Sequence, residues 1–176
     1  MQNCRNLNVL DYLKLRVDSE GRILYADSKF QEVTGYNVGD LILEPVSMIF
    51  NDDAKEIIFE IFFRKLLQND TIFLVGQLKA KDGTCSWALI RVTAYTDEKN
   101  NKKYLFEIKM LPLSSVPDVD YLFSKLIEIK KNAGLEYAVK YFEGYLEEQG
   151  VDINNYIFKL LDTSPKKLNK YFEIKG

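Results

Sequence analysis

Apolar and polar residues alternate over 12–17, with Leu13, Leu15 and Val17 on one parity and Lys14 and Arg16 on the other. A period of two belongs to a strand with one face on a core. Ser19-Glu20-Gly21-Arg22 then supplies a turn and Ile23-Leu24-Tyr25-Ala26 a returning strand, which predicts a hairpin. Asp27 or Ser28 can cap a short helix to Thr34, with Phe30 and Val33 at helical spacing. Gly35 stops it, because glycine enters the left-handed region at little cost. Gly39 and Pro45 keep 37–50 in short, irregular pieces. Asn51-Asp52-Asp53 offers a cap and two first-turn acids for a helix to about Leu67. On it Ala54, Ile58, Ile61, Phe62 and Leu66 share one face, which Phe59 and Phe63 widen.

Three strands are predicted next, over 71–81, 85–96 and 103–110. Asp82-Gly83 joins the first two, a strong hairpin signal because both residues accept positive φ. In the last, Tyr104, Phe106, Ile108 and Met110 face one way. The order to Pro112 is therefore ββ, short helices, βββ. A linker over 113–117 ends it, and the period then becomes helical: Val119, Leu122, Leu126 and Ile129, then Leu135, Ala138, Val139, Phe142 and Leu146. Asp152 caps a further helix to Leu161, and Ser164-Pro165 opens another.

Composition narrows the functions open to such a chain. With 24 basic and 26 acidic residues the charge is −2, and no basic stripe appears, which disfavours nucleic acid and acidic membrane surfaces. The longest apolar stretch, 57–63, is broken by Glu60 and too short to span a bilayer. The N-terminus lacks a signal-peptide pattern and two cysteines make no disulfide framework, so the expected location is cytoplasmic. There is no histidine. That removes a phospho-accepting histidine, Ser-His or Cys-His catalysis, and histidine ligation of haem or zinc. The nearest acidic cluster, Asp52-Asp53 with Glu56, is accounted for by a helix terminus. The chain is read as no enzyme.

The run Asp18-x-x-Gly21-x-Ile23-x-Tyr25-x-Asp27-x-x-Phe30-x-x-Val33-Thr34-Gly35-Tyr36, followed by Asp40-Leu41, resembles the opening of PAS domains. Lys81-Asp82-Gly83-Thr84 with Trp87 resembles their second hairpin. The resemblance spans about 10–112 and implies an α+β PAS fold: a five-stranded antiparallel sheet with helices on one face, around a pocket. The expected organisation is a PAS domain over 1–112, a linker over 113–117 and an all-α C-terminal region over 118–176. PAS domains sense small ligands, bind cofactors or mediate protein contacts. A small bacterial sensory or signalling protein, loosely similar to aerotaxis-type PAS domains, is the implied class.

The cofactor motifs of the family are matched only in part. Asn3-Cys4-Arg5-Asn6-Leu7 resembles the flavin-binding motif of LOV domains but lies at the wrong end of the chain. Val46 falls about where the photoreactive cysteine belongs, and Leu78 and Ala88 replace the flavin-ring asparagines. Against the aerotaxis type, whose members carry FAD, Phe50-Asn51-Asp52-Asp53 keeps only the aspartate of an Arg-His-Pro-Asp stretch, and the strand tryptophan falls near Ile72. The motif residues thus do not support flavin, and haem would need Met48 or Cys85. The cofactor is left unknown. Trp87 is read as a sheet-packing aromatic before a cofactor contact.

What remains is an apolar pocket candidate lined by Met48, Ile49, Ile58, Phe62, Leu78, Ala88, Ile90 and Phe106, which is also readable as plain core. It suits a small apolar molecule, a fatty acid, or nothing. About 60 residues follow Pro117, too few for a kinase, cyclase or transcription domain. The stripe over 119–129 is too short for a sustained coiled coil, so packing back on the PAS domain or on a neighbouring helix is expected. The resulting expectation is a sensory protein that binds an apolar ligand or dimerises, and relays through its C-terminal helices to a signalling partner. The alternatives are a ligand-free scaffold and a flavin redox sensor.

Overall fold

The computed structural model describes residues 12–66, 68–113 and 117–173. The predicted hairpin forms, with β1 (Leu13–Asp18) antiparallel to β2 (Ile23–Ala26). Asp18 holds its turn: the carboxylate accepts from the amides of Glu20 and Arg22 and pairs with the Arg22 guanidinium at 2.8 Å. Asp27 caps α1 (Ser28–Thr34) by accepting from the Phe30 amide at 2.7 Å. Gly35 closes that helix at φ 75°, where a side chain would be strained. The irregular stretch contains α2 (Val38–Leu41), held by an Asn37–Asp40 capping box, and a 3₁₀ turn over Val46–Ile49.

The next helix starts later than the Asn51 cap predicts. α3 spans Lys55–Leu66 and is preceded by a turn. Asn51 is buried and its side-chain amide donates to Gln77 Oε1 at 2.5 Å, while its backbone amide donates to the Gln77 carbonyl at 2.9 Å. Both of its donor groups are thus spent on a strand 26 positions away. Of its side-chain contacts only a long one to the Asp53 amide, 3.4 Å, retains the capping sense, while its carbonyl accepts from the Ala54 and Lys55 amides at 3.1 and 2.9 Å.

β3 (Thr71–Lys79), β4 (Cys85–Asp97) and β5 (Lys102–Pro112) complete the sheet. All pairings are antiparallel and the order is β2-β1-β5-β4-β3, so β2 and β3 are its edges. By the two-residue period, one face presents Leu15, Ile108, Val92 and Ile72 in register toward α3. The opposite face carries Arg16, Glu107, Arg91 and Phe73.

Four helices follow: α4 (Pro117–Ala133), α5 (Leu135–Gln149), α6 (Ile153–Leu160) and α7 (Pro165–Glu173). Asp152 caps α6 by accepting from the Asn155 amide at 2.8 Å. The stripe on α4 packs on α5 and on the sheet rather than extending away, and one apolar cluster runs through both halves of the chain. No described helix is long and apolar enough to cross a membrane.

Candidate functional site

The eight residues of the sequence-derived pocket all lie between the sheet and the helices over it. Ile58 and Phe62 come from α3, Met48 and Ile49 from the 3₁₀ turn, Leu78 from β3, Ala88 and Ile90 from β4, and Phe106 from β5. All are buried except Met48, which is half-buried against the same core. Phenylalanine rings occupy much of this layer. Phe63 lies 4.6 Å from Phe59, 5.6 Å from Phe62 and 6.5 Å from Phe106, measured between ring centres. Gly76 allows the helix and strand to approach closely: a Cβ there would sit 3.2 Å from Ile58 Cδ1 and 3.3 Å from Ile90 Cδ1.

Of the eight, Ile58 also lines a small apolar cavity where α3 and β3 meet the C-terminal helices. That cavity, about 30 Å³, is bounded by Ile61, Leu74 and Val75 and by Val119, Phe142 and Ile157 of the C-terminal helices. α3 therefore touches both β3 and the helical region. Two ion pairs fasten the outer seam: Arg64 to Glu136 and Lys130 to Glu56, each at 2.6 Å. Each carboxyl is held below its ordinary range first by the hydrogen bond from its cationic partner.

The free edge of β3 is closed by side-chain chemistry. Asn154 on α6 accepts from the Phe73 amide at 2.7 Å and donates to the Thr71 carbonyl at 3.1 Å, as a neighbouring strand would. Further along, the Gln77 carbonyl accepts from the Asn51 amide. An open edge invites pairing with other chains, and this one is blocked.

Comparison with known proteins agrees with this geometry. Residues 13–108, more than half of the chain, match the family model described as PAS fold. The chain belongs to the PAS family. No curated protein matches it. Among solved structures it is similar to the PAS domain of a protein from Colwellia psychrerythraea, with TM-score 0.55 and 17% identity over 61% of this chain and 90% of that one. It is also similar to Drosophila melanogaster Cycle PAS-B with bound ethylene glycol, with TM-score 0.52 and 14% identity over 57% of this chain and 99% of that one. An RNA-binding light-oxygen-voltage receptor gives TM-score 0.53 and 11% identity, covering 62% of this chain and 31% of the receptor. At these identities the likeness is one of fold.

The family's cofactor positions are occupied as follows. The Asn3–Leu7 stretch lies outside the described residues. Val46, Ile72, Leu78 and Ala88 are buried in the core. Asp52 turns to the surface, where Lys79 at 2.7 Å and Lys55 at 3.2 Å engage it. Cys85 is buried and disulfide-bonded, so it offers no thiolate to an iron. Trp87 packs its ring 5.9 Å from Phe123 of α4, on the face away from the pocket candidate. It is therefore an anchor for the C-terminal helices of this PAS protein.

Sequence reasoning expected the C-terminal helices to pack back on the PAS domain or on a neighbouring helix, but did not name the outer-face residues that receive them. Phe73 meets Phe158 at 5.1 Å and Phe172 at 6.4 Å, and the Arg91 guanidinium lies 4.9 Å from the Phe172 ring centre. Lys109 donates to the Phe172 carbonyl at 3.1 Å, and burial pushes its pKa down. The available signal was the unbroken apolar run Phe73-Leu74-Val75, which has no polar parity and so marks a strand buried on both faces.

Proposed function

We propose that this PAS protein is a sensory or signal-transduction module without catalytic activity, in which α3 couples the sheet interior to the C-terminal helices. The observation that carries this reading is the position of Ile58. On one side it lies so near Gly76 that a side chain there would crowd it, and on the other it lines the cavity against Val119, Phe142 and Ile157. Interiors packed to crystal-like density pass strain to their neighbours. A small apolar molecule wedged beside Phe62, Ile90 and Phe106 would displace α3, and the displacement would reach α4, α5 and α6. Those helices would then change their contact with a signalling partner or a second copy of the chain. The alternative, a ligand-free scaffold, draws on the phenylalanine rings that fill the same layer.

Native mass spectrometry of the purified chain, followed by NMR titration with a medium-chain fatty acid such as decanoate, tests this. The expected result is a saturable shift of resonances on α3 and on α5 or α6 together, absent in Gly76→Leu. Shifts confined to the sheet interior would overturn the coupling. No bound molecule and no saturable shift would leave the scaffold reading in its place. The cytoplasmic location expected from sequence has a test in Cys85, which is disulfide-bonded here, because such bonds persist mainly in oxidising compartments. Alkylation in intact cells followed by mass measurement gives a modified thiol if the protein is cytoplasmic and an unmodified disulfide otherwise.

A further inference from the structure

A cleft of about 400 Å³ opens between α4, α5 and α6, on the helical region and apart from the sheet interior. Its volume is in the range of small-molecule sites. Three tyrosines line it, Tyr121, Tyr145 and Tyr156, together with Asp118, Gln149 and Lys159. The Tyr145 and Tyr156 rings stand at 90° with centres 5.7 Å apart. Tyr156 is buried, and its hydroxyl hydrogen-bonds with Tyr145; burial first, then Tyr145 and the charge of Asp118, push its pKa up. Tyr121 is 78% exposed beside them, more than any other large apolar side chain among the described residues. Among the described residues neither Asp118 nor Lys159 forms an ion pair. The cleft thus holds one carboxylate and one ammonium whose charges no described residue neutralises in an ion pair.

Aromatic π-systems attract cations, alkylated ammonium groups above all, because those groups shed water easily and spread their charge over several rings. An adjacent carboxylate adds to the attraction. A ligand carrying only an ammonium would leave Lys159 opposed to it, whereas an acid group on the same molecule would meet Lys159 and the Gln149 amide. We propose that this cleft binds a small zwitterion, its alkylated ammonium against the three tyrosines and Asp118 and its acid group against Lys159. The proposal is independent of what the sheet interior holds.

The test is NMR titration of the full chain, labelled at tyrosine, with three probes. Glycine betaine carries both charges. Choline keeps the ammonium and drops the acid, and 3,3-dimethylbutanoate keeps the shape and the acid while replacing nitrogen by carbon. Betaine is expected to shift Tyr121, Tyr145 and Tyr156 saturably, in about the millimolar range, with choline weaker and dimethylbutanoate silent. Tyr121→Ala and Asp118→Asn each weaken betaine by about two- to fivefold. Lys159→Met weakens betaine while leaving choline unchanged or tighter. These residues are exposed, so an unchanged melting temperature serves as the folding control. Equal binding of betaine and dimethylbutanoate would overturn ammonium recognition, and equal loss of betaine and choline in Lys159→Met would overturn the acid contact. The absence of any saturable tyrosine shift would overturn the site.

Discussion

β1 and β3 lie in one sheet yet are buried by different means. β1 alternates: Leu13, Leu15 and Val17 are buried toward α3, while Arg16 stays exposed on the other face. β3 does not alternate, and seven consecutive residues from Ile72 to Leu78 are buried. The cause is not in the strand. Phe123, Phe158 and Phe172, from three C-terminal helices, cover the outer face on the β3–β4 side and stop short of most of β1. An edge strand would otherwise be the weakest part of the sheet. Here it is where the two halves of the chain are joined, and so a place where a change in one half must be felt in the other.

The sharpest way to break this comparison is to remove an outer-face side chain from each strand. Phe73→Ala deletes a ring that meets Phe158 and Phe172, and it should cost about 3–5 kcal/mol, the usual range for a buried phenylalanine. Arg16→Ala, at the same face of β1, should change stability by no more than about 0.5 kcal/mol. Urea denaturation of both variants measures the pair. Equal costs would mean that the helical cover does not distinguish the strands.

The second test concerns the edge itself. Asn154→Ala removes an acceptor from the Phe73 amide and a donor from the Thr71 carbonyl, leaving partly buried backbone groups without those partners. A cost of about 1–3 kcal/mol is expected. Hydrogen exchange locates it: the Phe73 amide should exchange faster by a larger factor than amides of β1. Uniform acceleration across the sheet would show that Asn154 contributes only to global stability.

How far the sequence foretold all this follows the same division. The hairpin, the Asp27 and Gly35 helix ends and the apolar parity of β1 were legible because each depends on neighbours within a few residues. The inner face was legible too, since Ile58, Ala88 and Ile90 follow helical and strand periods. Ile57 was missed although it is fully buried, because it lies off the stripe that defines the main face of α3. Asn51 was read as a cap because local spacing cannot reveal a partner on β3. Asn154 gave no sign at all, since its bond reaches 81 positions back. The tyrosine cleft joins residues from 118 to 160, and no local motif announces it.

The smallest expected effect lies on the seam between α3 and the C-terminal helices. Glu56 and Glu136 are held below the ordinary glutamate range by Lys130 and Arg64 respectively. A carboxyl with a depressed folded-state pKa contributes stability that is present above its unfolded value, about 4.5, and is lost as pH falls through the folded value. Acidification from about pH 5 to 3 should therefore loosen this seam before the sheet. Trp87, whose ring lies tilted against Phe123 of α4, reports on it through its fluorescence. Both carboxylates are exposed and salt screens such charges, so about 1 M salt should flatten the response, as should the double variant Glu56→Gln with Glu136→Gln. An acid response unchanged in that variant would assign it to other carboxylates, of which Asp18, Asp40 and Asp52 are also held low by neighbouring hydrogen bonds. None of those three lies on the seam, so the location of the loosening separates the two outcomes: α5 amides for the glutamates, the β1–β2 turn and the β3 end for the aspartates.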